Sequence, residues 1–300
     1  MAVNPFLLLN ITGSVSCFIS ILCSLFIIFH SFHVMKRISL FKTKPLINRL
    51  QFYISFADIS FNLFHGTDHT YQLIYTSALD VKSCQAIGFI VGLSFNALAL
   101  LSCFVSISSF LVVVLNKKLP FWKFDLITVS IGFGIPLIMH IVGLCYGWIG
   151  FNGFVCVISQ GLSNALIINF IFGTLFLWSN FILTIICYST IVGKLIISSS
   201  RIQKLMNQNT SKNNSNSVHK TTTVRFVIFV LALFIQWLPL SILWVYQMQG
   251  INDTDLMLNF FVVLLTNTGG MINLIYYLSF RRPKVAPQAS QSVVTSTIRK

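Results

Sequence analysis

Seven long stretches of almost entirely apolar residues follow one another along the chain, separated by short polar gaps. The hydrocarbon layer of a membrane is about 30 Å thick, so a helical crossing takes about 20 apolar residues. Each stretch is long enough for one crossing. The pattern predicts an all-α membrane protein, a bundle of seven transmembrane helices, with segments 1 to 7 at Leu7–Phe32, Leu46–Tyr71, Cys84–Leu115, Phe124–Trp148, Ser163–Leu195, Thr222–Met248 and Asp255–Phe280.

The composition agrees with this prediction. Hydrophobic residues make up 55% of the chain and charged residues only 9%, a balance that is typical of membrane proteins. We expect one membrane domain over residues 1–282. Residues 198–221 and 283–300 are polar and low in complexity, so they cannot bury enough apolar surface to order themselves. We expect the first region to be a flexible loop and the second a disordered tail.

Positive charge is distributed unevenly among the gaps. Of the 20 Lys and Arg residues, 19 lie in or beside the first, third and fifth gaps or in the C-terminal tail. Loops rich in Lys and Arg stay in the cytoplasm. The distribution predicts that the N-terminus lies outside and that the C-terminus and the 198–221 loop are cytoplasmic. Because these charges are spread beside the membrane, the net charge of +14 favours contact with anionic membrane lipids over nucleic acid.

Two of the seven cysteines are expected on the outer side, Cys84 at the beginning of segment 3 and Cys156 in the gap after segment 4. Both would lie in an oxidising compartment, where disulfides form and persist. A disulfide between them would hold the second outer loop over the helix bundle. The alternative is two unpaired cysteines that happen to lie outside.

Asp58 is the one acidic residue expected near the middle of the membrane. It follows Arg49 by nine residues, which corresponds to a depth of roughly 14 Å in a helix. A polar group at that depth is costly and therefore indicates a function. Asp58 is either a structural tie between helices or a site for a cation or a proton, and Asn273 of segment 7 is expected at a similar depth.

Landmarks in five segments resemble those of the seven-helix G-protein-coupled receptors of the rhodopsin-like type. They are Cys84 with Cys156, Phe56-Ala57-Asp58, Cys187-Tyr188 with Ile191, Trp237-Leu238-Pro239, and Asn273-Leu274-Ile275-Tyr276-Tyr277. The stretch from Cys84 to Phe89 is more similar to the cAMP-receptor-like and nutrient-sensing receptors of fungi and slime moulds. The resemblance covers the whole membrane domain.

The chain also departs from the rhodopsin-like pattern. Ser108-Ser109-Phe110 stands at the inner end of segment 3 in place of an Asp-Arg-Tyr triplet, so another contact must hold the resting state. Leu274 replaces a proline in segment 7, Asn180 replaces one in segment 5, and Gln236 replaces a cysteine before Trp237. Segment 1 has no asparagine at the position where the rhodopsin-like pattern usually buries one. The chain is therefore a divergent version of the pattern.

The resemblance implies a receptor in the plasma membrane that signals to a heterotrimeric G protein, without enzymatic activity and without a cofactor.

A proline removes one helix hydrogen bond, so Pro239 should bend segment 6 beside Trp237. A bent helix with two positions is an element that a ligand can switch. The resemblance also implies a sodium ion or a proton at Asp58 and Asn273. The expected switch residues are Asp58, Tyr188, Trp237, Pro239, Asn273 and Tyr277.

A receptor of this type should bind its extracellular ligand in a pocket that opens outward between segments 2, 3, 5, 6 and 7. The side chains expected to line it combine aromatic rings with a few polar groups, which is typical of a small-molecule site. They are His65, Asp68, His69, Ser94, Asn96, His140, Trp244 and Gln247. The outer gaps and helix ends carry more acidic than basic residues, which disfavours phosphate-bearing ligands.

A membrane transporter or channel is the main alternative function. Such proteins use broken helices and polar sites at the middle of the membrane. Gly269-Gly270, beside Asn267, is a candidate break in segment 7. A light-driven retinal protein would need a lysine in segment 7, and residues 255–280 contain none.

An integral-membrane enzyme is a weaker alternative. His65 and His69 have the spacing of a helical metal-binding pair, and His140 in segment 4 is the one candidate for a third ligand. Zinc hydrolases need more converging ligands than these. We therefore interpret the three histidines as hydrogen-bonding groups that line the pocket.

Overall fold

The computed structural model describes residues 5–34, 46–117, 121–159, 167–168, 170–206, 232, 234–246 and 256–279. Helices dominate these residues, and a π-helix at Phe170–Leu175 leads directly into α5. The elements in chain order are α1 Pro5–Val34, α2 Leu46–Tyr75, α3 Val81–Val113, α4 Phe121–Cys145, β1 Ile149–Phe151, β2 Cys156–Ile158, α5 Phe176–Met206, α6 Phe234–Tyr246, α7 Leu256–Thr266 and α8 Gly269–Ser279.

The helices follow from the apolar segments. A bilayer offers no partners for backbone N–H and C=O groups, so a crossing segment satisfies them internally as a helix. Within the described residues, α1, α3, α4 and the π-helix with α5 are each long and apolar enough to cross a membrane, and α7 with α8 forms a further, bent span. The rest of segment 6, most of the 198–221 region and the tail lie outside the described residues.

The third helix is at the centre of the bundle. It packs against α2, α4 and α5 and also against both short strands. Its inward residues, such as Leu101 and Val105, join Leu50, Phe61 and Ile191 in one buried apolar core. The outward faces of α1 and α4 carry large exposed apolar side chains, as a lipid-facing surface requires.

The helix ends differ in places from the segment boundaries expected from sequence. The fifth helix continues to Met206, so the first residues of the expected 198–221 loop are helical. The third helix begins at Val81, where the Asp80 side chain accepts a hydrogen bond from the Ser83 N–H at 3.1 Å and caps the helix. Trp148 lies beyond the end of α4, because the chain there turns into β1.

Segment 7 is broken into two helices. The axes of α7 and α8 differ by 45°, and Asn267 and Thr268 form the turn between them. The small residues Gly269 and Gly270 follow immediately. The candidate break noted in the sequence is therefore present.

A β-hairpin covers one end of the bundle, which we call the outer end. Strands β1 and β2 pair antiparallel, with Ile149 opposite Ile158 and Phe151 opposite Cys156. A disulfide joins Cys156 to Cys84 in the first turn of α3, as expected from the positions of the two cysteines. The hairpin is therefore fixed to the central helix.

Candidate functional site

A cavity of about 150 Å³ lies beneath the hairpin at the outer end. Its walls come from six helices, the π-helix and the hairpin. Most of the lining is apolar or aromatic, including Val91, Phe95, Leu240, Leu243 and Trp244. No Asp, Glu, Lys or Arg is among the described residues that line it.

Histidines and amides supply the polar part of the lining. His65 stacks on Phe61 with ring centroids 5.2 Å apart, and its buried Nε2 atom has no hydrogen-bond partner among the described residues. His69 pairs its Nδ1 atom with Asn10 Oδ1 at 2.8 Å. The buried atoms His69 Nε2 and Asn96 Oδ1 likewise have no hydrogen-bond partner among the described residues. Polar atoms in this condition are rare in folded proteins and usually bind water or a ligand.

The fourth helix contributes His140. Its Nδ1 atom bonds the Pro136 carbonyl oxygen at 2.8 Å, so the ring is held in one orientation. A Cβ atom at Gly92 would collide with His140 Nε2, so only glycine at that position lets the ring approach α3 this closely.

The expected pocket residues separate into three groups. Those that line the cavity are His65, His69, Asn96, His140 and Trp244. Asp68 and Ser94 are buried, but they are not among the lining residues. Gln247 lies outside the described residues. Ligand binding by any of these side chains stays a prediction.

Asp68 holds the hairpin in place. Its Oδ2 atom accepts a hydrogen bond from the Cys156 N–H at 2.7 Å, and its Oδ1 atom accepts one from Gln72 Nε2 at 2.9 Å. Gln72 also donates to the carbonyl oxygen of Phe154 at 2.9 Å. Asp68, which is only 1% exposed, therefore links α2 to the β-hairpin.

Aromatic rings connect the cavity with the middle of α6. Phe95 of α3 makes edge-on contacts with Trp244 at 5.7 Å and with Trp237 at 4.9 Å between ring centroids. Trp237 is 4% exposed and stands two residues before Pro239. A ligand against Trp244 and Phe95 would therefore be one ring away from the proline in α6.

Deeper in the bundle, Asp58 is buried among hydroxyl groups of the first helix. Ser24 Oγ donates to Asp58 Oδ2 at 2.7 Å, and Ser20 Oγ donates to the same atom at 3.2 Å. Ser20 Oγ in turn accepts hydrogen bonds from Asn62 Nδ2 at 3.3 Å and from the Gly270 N–H at 2.7 Å. The carboxylate thus joins α1, α2 and the beginning of α8 in one network.

The two glycines of α8 make this close packing possible. A Cβ atom at Gly269 would collide with Asp58 Oδ1, and one at Gly270 would collide with the backbone oxygen of Ser20. Two residues before Gly269, both side-chain polar atoms of Asn267 are fully buried and have no partner among the described residues. The region therefore contains the Asp58 carboxylate and the Asn267 side-chain amide, whose polar atoms have no hydrogen-bond partner among the described residues. Such an arrangement is suited to a bound cation, proton or water.

Asn273 lies one helical turn beyond Gly269. Its backbone oxygen accepts a hydrogen bond from Gln51 Nε2 at 3.5 Å. The contacts to Asp58 described above come from Ser20, Ser24 and the two glycines, and not from Asn273. A shared ion site between Asp58 and Asn273 remains a prediction.

At the inner end, the tyrosines expected to act in the switch contact different helices. The Tyr277 hydroxyl pairs with His30 Nδ1 at 2.7 Å and accepts a hydrogen bond from Ser31 Oγ at 3.3 Å. Tyr188 is buried in the apolar core together with Tyr276. In this structure Tyr277 is therefore attached to α1.

Two contacts of basic side chains at the inner end could not be predicted from the sequence pattern. Arg49 of α2 forms a buried ion pair with Asp125 of α4, with Nε 2.8 Å from Oδ2. Lys194 of α5 donates to the Val114 carbonyl oxygen at 2.5 Å, just after α3 ends. That contact ties α5 to the helix end where Ser108-Ser109-Phe110 replaces the usual charged triplet.

Comparison with known proteins identifies the fold. No protein-family model matches the chain, and no curated protein matches it in sequence. The structure is similar to the crystal structure of squid rhodopsin, with a TM-score of 0.69 over 92% of this chain and 83% of that chain, at 15% sequence identity. The protein therefore has the rhodopsin-like seven-helix membrane fold, which confirms at the level of fold the resemblance carried by its sequence landmarks.

Proposed function

We propose that the protein is a G-protein-coupled receptor of the plasma membrane, which senses an extracellular small molecule and signals to a heterotrimeric G protein through movement of α6. The observation that supports this most directly is the aromatic contact series from Trp244 through Phe95 to Trp237. A ligand shifts a conformational equilibrium only by contacting the two states differently. A ligand in the cavity would contact Trp244 and Phe95, and any displacement of Phe95 would reach Trp237 beside Pro239.

A G-protein activation assay on the expressed protein, run over a panel of metabolites, tests this proposal. We expect one class of compound to activate the wild-type protein and Phe95→Leu to lose most of that response while reaching the membrane normally. Phe29→Leu is the matched control, because Phe29 is 68% exposed on the outside of α1. Equal responses in both variants would contradict the role of the aromatic series.

The broken segment 7 is the observation that favours the second candidate, a transporter or channel for a small solute. A break between α7 and α8 beside the buried Asn267 has the form of a transporter binding site. Uptake of a radiolabelled solute without any G-protein response would favour that function. The rhodopsin-like fold supports the receptor instead.

A further inference from the structure

Two of the histidines that line the outer cavity have a hydrogen-bonding character that their own contacts define. A carbonyl oxygen only accepts, so the contact between His140 Nδ1 and the Pro136 oxygen requires Nδ1 to carry the proton. A neutral ring then leaves Nε2 as an acceptor. The same reasoning applies to His69, whose Nδ1 atom donates to Asn10 Oδ1.

Asn96 adds a third acceptor. The residue is 2% exposed, and its Oδ1 atom has no hydrogen-bond partner within the part of the chain that the structure describes. His69 is fully buried, and its Nε2 atom also finds no partner among those residues. Leaving a buried acceptor unsatisfied is costly, so these atoms favour a ligand that brings hydrogen-bond donors.

Charge and shape limit the ligand further. The described lining contains no charged side chain, so an ammonium, carboxylate or phosphate group would be buried there without a counter-charge. Phe61, Phe95 and Trp244 provide aromatic walls for an apolar body.

We propose that this cavity binds a small neutral molecule that has an apolar body and hydroxyl or N–H donors, paired with His69 Nε2, His140 Nε2 and Asn96 Oδ1. The proposal rests on the proposed receptor function only in taking the cavity as the ligand site. It names the ligand's chemical class, which the fold does not determine.

Four compounds that share one scaffold test the class directly. We would measure the affinity of the purified full-length protein in lipid nanodiscs for 2-phenylethanol, its methyl ether, 2-phenylethylamine and phenylacetate. The alcohol should bind, the ether should bind about three- to tenfold more weakly because it lacks the donor, and the two charged compounds should bind more weakly still. Absence of alcohol binding, an ether that binds equally well, or tighter binding of either charged compound would overturn the proposal.

Variants locate the site. His140→Phe and Asn96→Leu should each reduce the affinity for the alcohol but not for the ether, so that retained ether binding shows that the variant is folded. The matched controls are His33→Phe, at the exposed end of α1, and Asn180→Leu, whose side chain bonds the Phe176 carbonyl oxygen within α5. Variants that leave the difference between alcohol and ether unchanged would contradict the assignment of these acceptors.

The binding measurement does not depend on a G protein, so the two proposals fail separately. Selective alcohol binding without any G-protein response would leave the ligand class standing and remove the receptor function. Activation of a G protein by a charged compound, without alcohol binding, would support the receptor function and overturn the proposed ligand class.

Discussion

Asp58 is held in the interior by hydrogen bonds from the serines at positions 20 and 24. A buried carboxylate is costly unless it is paired or coordinated, and two hydroxyl groups only partly compensate for lost hydration. The nearby Asn267 side chain, buried without a partner among the described residues, adds further polar capacity. We therefore predict that this site takes up a sodium ion or a proton in the resting state.

We predict that Asp58→Asn removes any sodium or pH dependence of agonist affinity while the protein remains folded. The amide keeps the shape of the carboxylate and removes the negative charge that would attract a cation. Agonist affinity measured over a series of sodium concentrations and pH values checks this. Asp80→Asn, at an exposed acid outside the bundle, is the control and should keep the wild-type dependence. If Asp58→Asn also keeps it, Asp58 is a structural tie between helices.

We predict that Gly270→Ala destabilises the protein by about 1–3 kcal/mol, because overpacking forces the backbone to move. The added Cβ atom would collide with the Ser20 backbone oxygen, which cannot rotate away. Gly193→Ala is the matched control, since a Cβ atom there meets nothing within 4 Å among the described residues. Thermal unfolding in detergent compares the two. Equal melting temperatures for both variants would show that α1 and α8 are not tightly packed.

Single residues differ in how far sequence predicts their roles. Asp58 is conspicuous as a lone acid in an apolar segment, whereas its partners Ser20 and Ser24 look like ordinary small residues of an apolar helix. The available signal is the spacing of Ser16, Ser20 and Ser24 at intervals of four, which places them on one helix face. The role of Asp68 has no such signal, because its partner is a backbone N–H 88 residues away.

The β-hairpin is the element whose position depends on two attachments, the disulfide to α3 and the Asp68 contact to α2. We predict that Cys84→Ser and Cys156→Ser lower surface expression or ligand response by similar amounts, and that the double variant costs little more than either one. Two residues that act as one bond show such non-additive losses. Surface labelling and dose–response curves of the three variants check this, and additive losses would contradict a shared role.

The second attachment gives a prediction of its own. Asp68→Ala should lower the free energy of unfolding by about 1–3 kcal/mol, because the Cys156 N–H is left buried without an acceptor. Asp68→Asn should lose less, since its amide oxygen can still accept that hydrogen bond. Chemical unfolding with the disulfide intact measures both. Identical losses in the two variants would mean that the negative charge, and not the acceptor, matters.

Helices are easier to predict than the hairpin for a physical reason. A helical crossing is determined by local composition over about 20 residues, and the Gly-Gly pair after Asn267 marks the break in segment 7. The hairpin strands contain three residues each. Their pairing depends on the covalent bond and on Asp68, which are contacts between distant parts of the chain. The extension of α5 to Met206 does not follow from apolar content, because polar residues alone do not end a helix.

On the scale of the whole molecule, the β-hairpin and the contacts of two basic residues lie at opposite ends of the bundle. The disulfide-bonded hairpin covers one end, while Arg49 and Lys194, from two of the basic regions, make their contacts with Asp125 and with the end of α3. In a membrane, Lys and Arg on short loops determine which end faces the cytoplasm. The hairpin end should therefore face outward, where its disulfide is stable.

We predict that the segment between α5 and α6 is cytoplasmic and the N-terminus extracellular, because 19 of 20 basic residues lie in or beside this gap, the first and third gaps or the C-terminal tail. An epitope tag inserted within residues 207–221 should be protected from antibody and protease on intact cells and become accessible after permeabilisation. The same tag at the N-terminus is the matched control and should be accessible without permeabilisation. The sequons Asn209-Thr210-Ser211 and Asn213-Asn214-Ser215 should carry no glycan for the same reason. Cleavage within residues 207–221 on intact cells would show that the topology is the reverse of the predicted one. The cavity beneath the hairpin would then open toward the cytoplasm and could not bind an extracellular ligand.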